Sequence, residues 1–221
     1  MLGIESQKPI TIAEVATLRS FSNKYPLFPI TRGKQHKLFG ESFESYAGII
    51  LAMIHGKKLD RTYYVGTRNI DFAVVEEDNL VKLIEVKSGN NFCSREQLKA
   101  ACKQGVPLDV IIYNENVSLT SDLQRFFKDY NFSDFNIRRL IDFKEYFDLK
   151  DNLAHRYVTN REKFDELNKD KRRSFISNLD ECFKFIKNKN ADVSFDQVNY
   201  FLEKSLSSSN TAFKELVRSY V

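Results

Sequence analysis

Residues 69–89 read Asn69-Ile-Asp-Phe-Ala-Val-Val-Glu-Glu-Asp-Asn-Leu-Val-Lys-Leu-Ile-Glu-Val-Lys-Ser-Gly89. β-Branched and other apolar residues fill both halves of this segment, and a short polar run separates the halves at Glu77–Asn79. The pattern predicts two antiparallel strands, Arg68–Val75 and Leu80–Lys87, joined by a tight turn. The segment therefore indicates a β-hairpin.

Three charged side chains of this hairpin fall on one predicted face. Residues two apart on a strand share a face, which places Glu85 and Lys87 together. If the turn is centred on Asp78, Asp71 lies directly across from Glu85 with the Cβ atoms about 5 Å apart, because both are equally far from Asp78 along the chain. A slip of one residue would separate them, so this prediction depends on the turn length. The opposite face would be apolar and buried: Ile70, Phe72, Ile84 and Val86.

The chemistry of this face follows from the charges. Two carboxylates held so close repel each other, and the pKa of one rises unless a cation intervenes. Mg²⁺ or Mn²⁺ prefers oxygen ligands and would bridge Asp71 and Glu85 to a phosphate. Lys87 would orient or deprotonate an attacking water and stabilise the developing charge. Asp71, Glu85 and Lys87 are thus candidate catalytic residues for phosphodiester hydrolysis, while an exposed hairpin face with a Glu–Lys pair would show the same spacing.

A helix precedes the hairpin. Apolar residues from Phe39 to His55 recur at helical spacing and predict an amphipathic helix that Gly56 ends as its C-cap. On this helix Glu44 lies at the flank of the apolar stripe, whereas Glu41 lies almost opposite the stripe. Glu44 is therefore the candidate third metal ligand, although a solvated glutamate beside the stripe would fit equally well.

The neighbouring segments complete a compact unit. Arg61–Gly66 is strand-like, and Ser94 is a suitable N-cap for a helix over Ser94–Gln104. Asp109–Tyr113 reads as a further buried strand. The order helix, strand, strand, strand, helix, strand predicts an α/β fold with a mixed central sheet flanked by helices.

The chain divides into three regions. Residues 1–38 contain a short predicted helix around Ile12–Ser20 and a connector, residues 39–119 form the α/β core, and residues 120–221 are mainly helical. Ser194, and either Ser209 or Asn210, are suitable helix caps in the last region. The helical segments predicted there are Asp122–Tyr130, Asn160–Asn168, Arg173–Lys187, Phe195–Ser205 and Thr211–Tyr220.

Composition sets the protein class. The 221 residues are 42% hydrophobic and 29% charged, as expected of a soluble globular protein. The chain has no apolar run of membrane-spanning length and no secretory leader pattern, and its three cysteines form no CxxC pair. We expect a cytoplasmic protein without a membrane partner.

Nucleic acid is the partner that the candidate chemistry requires. The net charge of +4 permits this without demanding it. Near the site the predicted contacts are Arg32, Lys34, Lys37, Arg68 and Gln97, and Lys171-Arg172-Arg173 would add to them from the helical region. The residues before the helix also suit a solvated connector, and Gln97 also suits a solvent-facing position.

These motifs resemble the PD-(D/E)XK nuclease superfamily. The likeness covers roughly residues 39–113 and is greatest to archaeal Holliday-junction resolvases and to the nuclease-like domain attached to certain prokaryotic AAA-type ATPases. It rests on Phe43-Glu44, Tyr63-Tyr64, Ile70-Asp71-Phe72 and Ile84-Glu-Val-Lys-Ser-Gly89. The chain departs from the pattern in having Ile70 where a proline often precedes the aspartate, and it carries no P-loop motif.

The resemblance implies a restriction-endonuclease-like core. It implies Glu44, Asp71 and Glu85 as metal ligands, Lys87 as the catalytic lysine and Mg²⁺ or Mn²⁺ as the cofactor. We therefore expect a Mg²⁺-dependent deoxyribonuclease acting on DNA, and relatives of this kind often form homodimers.

Two other functions fit the same residues. A catalytically degenerate nuclease-fold module would bind nucleic acid or a protein partner without cutting. An interaction protein would act mainly through its helical C-terminal region, which would be a docking surface for a protein partner.

Overall fold

The computed structural model describes residues 35–89, 93–113, 125–126, 129, 133–140, 149, 151–189 and 192–220. The helix predicted around Ile12–Ser20 and most of the helix predicted at Asp122–Tyr130 lie outside the described residues. Arg32 and Lys34 lie outside them as well.

The secondary structure alternates early in the chain and is helical later. The strands are β1 (Leu59–Val65), β2 (Arg68–Glu76), β3 (Asn79–Lys87), β4 (Leu108–Ile112) and β5 (Phe135–Arg139). The helices are α1 (Gln35–His55), α2 (Arg95–Cys102), α3 (Leu153–Thr159), α4 (Arg161–Glu166), α5 (Lys169–Lys189), α6 (Phe195–Ser207) and α7 (Asn210–Arg218), with a 3₁₀ turn at Gly56–Lys58.

The five strands form one mixed sheet in the order β1-β2-β3-β4-β5. β1, β2 and β3 pair antiparallel, whereas β3, β4 and β5 pair parallel. Helix α2 makes the crossover between β3 and β4, as a parallel pair requires. The predicted α/β class with a mixed sheet and a helical C-terminal part is confirmed.

Each face of the sheet has its own apolar cluster. Helices α1 and α5 cover one face, where Phe72 and Ile84 join the first cluster together with Phe183 of α5. Helix α2 covers the other face, where Leu98 packs in the second cluster. Ile70 is buried as predicted but belongs to this second cluster. The helical C-terminal region thus shares a hydrophobic core with the sheet.

The β2–β3 hairpin has the predicted pairing register, but this register does not arise from the predicted turn. Its turn consists of Glu77 and Asp78, whose φ angles of 48° and 63° are typical of a type I′ turn, so the hairpin is not centred on Asp78 as predicted. That turn alone would slip the register by one residue. A bulge at Val81, between the pairs Val75–Leu80 and Val74–Lys82, restores it, and Phe72 pairs with Ile84.

The C-terminal region differs from its prediction in two elements. Strand β5 and helix α3 were not predicted, whereas α4, α5, α6 and α7 overlap the predicted helices. Ser194 is the N-cap of α6 as predicted, and of the two residues predicted for α7, Ser209 is the N-cap while Asn210 is the first helical residue. Among the helices of the described residues, none combines the length and the apolar character needed to cross a bilayer.

Candidate active site

Asp71 and Glu85 are joined by a pair of crossing hydrogen bonds. The backbone N–H of Asp71 donates to Glu85 Oε2 at 3.2 Å, and the backbone N–H of Val86 donates to Asp71 Oδ2 at 2.8 Å. The two carboxylates take the place of ladder carbonyls where the regular pairing of β2 with β3 ends, at Phe72–Ile84. The structure therefore brings the two predicted carboxylates together.

The strand on the other side of Asp71 is distorted as well. The pairing of β1 with β2 passes from Arg61–Phe72 to Tyr63–Ile70 and omits Thr62, whose φ is 58°. A β-branched residue in the left-handed region is strained by about 1–2 kcal/mol, and such strain often lies at functional sites. Asp71 is thus located where both neighbouring ladders depart from regular geometry.

Lys87 and Gln97 both bind the Glu85 carboxylate. Lys87 Nζ and Gln97 Nε2 donate to Glu85 Oε1, the latter at 2.8 Å. Gln97 is fixed in turn by Ser94, because its Oε1 accepts from the Ser94 N–H at 3.1 Å while Ser94 Oγ accepts from the Gln97 N–H. This capping box starts α2 at the site, and Gln97 contacts Glu85 although it is only half-buried.

Burial and crowding of charge shift the protonation of the site. Burial, then the charges of Glu85 and Glu44, raise the pKa of Asp71 to about 7, against the smaller effects of the Val86 N–H and Lys87. Burial acts to lower the pKa of Lys87, but Glu85 and Asp71 outweigh it and raise that pKa above its ordinary value. Lys87 is therefore an ammonium at neutral pH, a form suited to binding phosphate and stabilising negative charge.

Glu44 lies beside the site but has another partner. Its Oε1 accepts from Arg61 Nη2 at 3.1 Å and from Arg61 Nε at 3.3 Å, while Arg61 Nη1 donates to Asp180 Oδ1 at 2.7 Å. No group of three His, Cys, Asp or Glu side chains is arranged to hold a metal ion within the part of the chain that the structure describes. Glu44 as a third ligand stays a prediction.

The sequence did not identify Arg61 or Asp180. Arg61 lies in a strand-like segment but outside its Tyr63-Tyr64 motif, and Asp180 lies on the distant helix α5. Only the fold brings them together beside Glu44.

The residues that were predicted to contact nucleic acid differ in their exposure. Lys37 is exposed and pairs with Glu41 at 3.7 Å, and Arg68 is exposed at the start of β2, the strand that carries Asp71. Arg172 was predicted to contact nucleic acid, but it is buried over the Phe164 ring, 5.5 Å from the centroid. Its role is structural, whereas Lys171 and Arg173 are exposed.

Comparisons of the chain with protein-family models, with curated proteins and with solved structures gave no match. The resemblance to PD-(D/E)XK nucleases therefore rests on the motif residues themselves.

Proposed function

We propose that this chain is a metal-dependent nuclease that hydrolyses phosphodiester bonds in DNA through Asp71, Glu85 and Lys87. The observation that carries the proposal is the pair of crossing hydrogen bonds that fixes both carboxylates beside the Lys87 ammonium. Placing two carboxylates together is costly unless a cation lies between them, and a residue with a perturbed pKa is a candidate functional group.

The donor set fits Mg²⁺ or Mn²⁺. Asp71 and Glu85 offer hard oxygen ligands, and Mg²⁺ is commonly held by one or two carboxylates with water and phosphate completing its shell. Burial, and then the charges of Glu85 and Glu44, raise the pKa of Asp71, and a bound divalent cation would offset these effects. When bound, such an ion would activate a water and polarise the phosphate.

The remaining side chains have roles that follow from their contacts. Glu85 holds the Lys87 ammonium, which would contact a phosphate oxygen and stabilise the charge that develops on it. Gln97 keeps Glu85 in place through the capping box of α2. Lys37 and Arg68 would contact the DNA backbone, so binding should weaken as salt rises.

Cleavage of supercoiled plasmid with Mg²⁺ and with EDTA tests the proposal. Wild-type protein should cut only with the metal, and Lys87→Ala and Asp71→Ala should each lower the rate at least about 100-fold. Lys103→Ala, which removes an exposed lysine next to α2, is the matched control and should cut at the wild-type rate. Undiminished cutting by either site variant would refute the assignment.

A non-catalytic binding module is the second candidate. The observation in its favour is the pairing of Glu44 with Arg61, which leaves two carboxylates at the centre of the site. Calorimetry separates the two functions, because a module of this kind would bind DNA but would not bind Mg²⁺ or Mn²⁺ at millimolar concentration.

A further inference from the structure

The Arg61 guanidinium lies between carboxylates from two helices. It donates to Glu44 of α1 at 3.1 and 3.3 Å and to Asp180 of α5 at 2.7 Å. Ser45 strengthens the second contact, because its hydroxyl donates to Asp180 Oδ1 at 2.5 Å and accepts from Arg61 Nη2 at 3.2 Å. The shorter bonds go to Asp180, so Glu44 is the more weakly held of the two carboxylates.

Glu44 and Arg61 both lie next to the Asp71–Glu85 pair. Glu44 binds Arg61, whose register partner on β2 is Phe72, the residue that follows Asp71. Arg61 directly precedes Thr62, the residue in the left-handed region where β1 passes Asp71. Helix α1 also approaches the end of β3 closely, since a Cβ on Gly40 would lie 3.0 Å from Ser88 Oγ.

We propose that Arg61 is a positioning residue that withholds Glu44 from the Asp71–Glu85 pair, with Asp180 as its anchor. The inference rests on the proposed function, because it takes Asp71 and Glu85 to be ligands of a divalent cation. When the cation binds, Glu44 would leave Arg61 and serve as a third oxygen ligand. Arg61 keeps Asp180 and Ser45 in this exchange, so its half-buried charge is never left unpaired.

Calorimetric titration of the full chain with Mg²⁺ and with Mn²⁺ tests this directly. Arg61→Gln should bind the metal about ten-fold more tightly than wild type, because Glu44 is released. The gain should vanish when Glu44→Gln is added to Arg61→Gln. Arg61→Lys keeps the charge but loses the planar fork, so it should show a smaller gain, and it carries the test if Arg61→Gln does not fold.

Lys187→Gln is the matched control. Lys187 of α5 pairs with Asp60 of β1 at 3.0 Å. The change therefore removes one positive charge between α5 and β1 and leaves the Glu44–Arg61 contact in place. It should leave metal affinity unchanged. A gain that is equally large in the presence of Glu44→Gln would show a simple charge effect and overturn the proposal.

The remaining outcomes separate the two proposals. If wild type binds metal and neither Arg61 variant binds it more tightly, Arg61 does not control Glu44, although the proposed function stands. If no variant binds Mg²⁺ or Mn²⁺, the metal site itself is refuted, and the inference about Arg61 falls with it.

Discussion

Glu85 accepts a hydrogen bond from the backbone N–H of Asp71 at 3.2 Å, so a side chain replaces a strand carbonyl in the middle of the sheet. The Asp71 carboxylate likewise accepts a hydrogen bond from the backbone N–H of Val86 on β3. The backbone there is satisfied only because two acidic side chains stay close together. The hydrogen bonds thus hold together two carboxylates in a buried site, so the negative charge that the proposed function needs on Asp71 destabilises the metal-free protein.

Asp71→Asn should stabilise the metal-free protein at high pH. The folded-state pKa of Asp71 is about 7, above its ordinary 3.8, so the folded protein holds the proton more tightly than the unfolded chain. The contribution of Asp71 to stability is thus fully present below pH 3.8 and is lost as pH rises through 7. An asparagine amide oxygen can still accept from Val86, so the variant should exceed wild type by about 4 kcal/mol at pH 8.

Urea denaturation at pH 4 and pH 8 measures this difference. The two proteins should agree within about 1 kcal/mol at pH 4, where Asp71 is neutral. Asp192→Asn changes an exposed aspartate and should leave stability unchanged at both pH values. If Asp71→Asn is less stable than wild type at pH 8, the negative charge of Asp71 does not destabilise the folded protein.

The hairpin and the first helix could be predicted because their signals are local. Apolar spacing defines α1, and the polar run at Glu77–Asn79 marks the turn. The bulge at Val81 has no such signal, so the correct pairing of Asp71 with Glu85 followed from a wrong turn centre. An exposed valine follows the turn, but nothing in its neighbours distinguishes a bulged residue from a paired one.

Strand β5 could not be predicted because its burial depends on a distant partner. Its sequence, Phe135-Asn-Ile-Arg-Arg139, is short and mostly polar, and Asn136 is buried in spite of its amide. That amide donates to the buried Asp109 of β4 at 3.0 Å. Pairing across the sheet therefore overrides local propensity, just as Asp180 reaches Arg61 only through the tertiary fold.

Asp109→Ala should destabilise the sheet strongly. Asp109 accepts from Lys82 of β3 and from Asn136 of β5, both at 3.0 Å, so it connects three adjacent strands. Removing it leaves a half-buried lysine and a buried amide without this partner, at a cost of about 3 kcal/mol. Asp134→Ala is the control, because Asp134 also accepts from Asn136 but is exposed, and it should cost less than about 1 kcal/mol. Urea denaturation that gives equal losses for both variants would contradict the role of Asp109.

Acid should weaken the fold through His55 at the end of α1. Burial, followed by the charge of Lys82, lowers the pKa of His55 from 6.5 to about 4. The unfolded chain therefore binds the proton more readily, and the stability that neutral His55 contributes is present above pH 6.5 and is lost as pH falls towards 4. At pH 5 the loss should be about 2 kcal/mol. Urea denaturation of His55→Gln and of wild type at pH 7 and pH 5 isolates this effect, because His155 is present in both proteins. If the two proteins lose the same stability between pH 7 and pH 5, a group other than His55 causes the loss.

Mg²⁺ should raise the melting temperature of the wild-type protein through Asp71 and Glu85. A ligand that binds only the folded state stabilises it by RT ln(1 + [L]/Kd), so a concentration about 100 times Kd should add about 2.7 kcal/mol. The shift should grow between pH 6 and pH 8, because metal binding must displace the proton of Asp71, whose pKa is about 7. Asp71→Asn should abolish the shift, whereas Asp192→Asn should keep it. A shift of equal size in the Asp71 variant would place the bound ion elsewhere and remove the basis for a two-carboxylate metal centre.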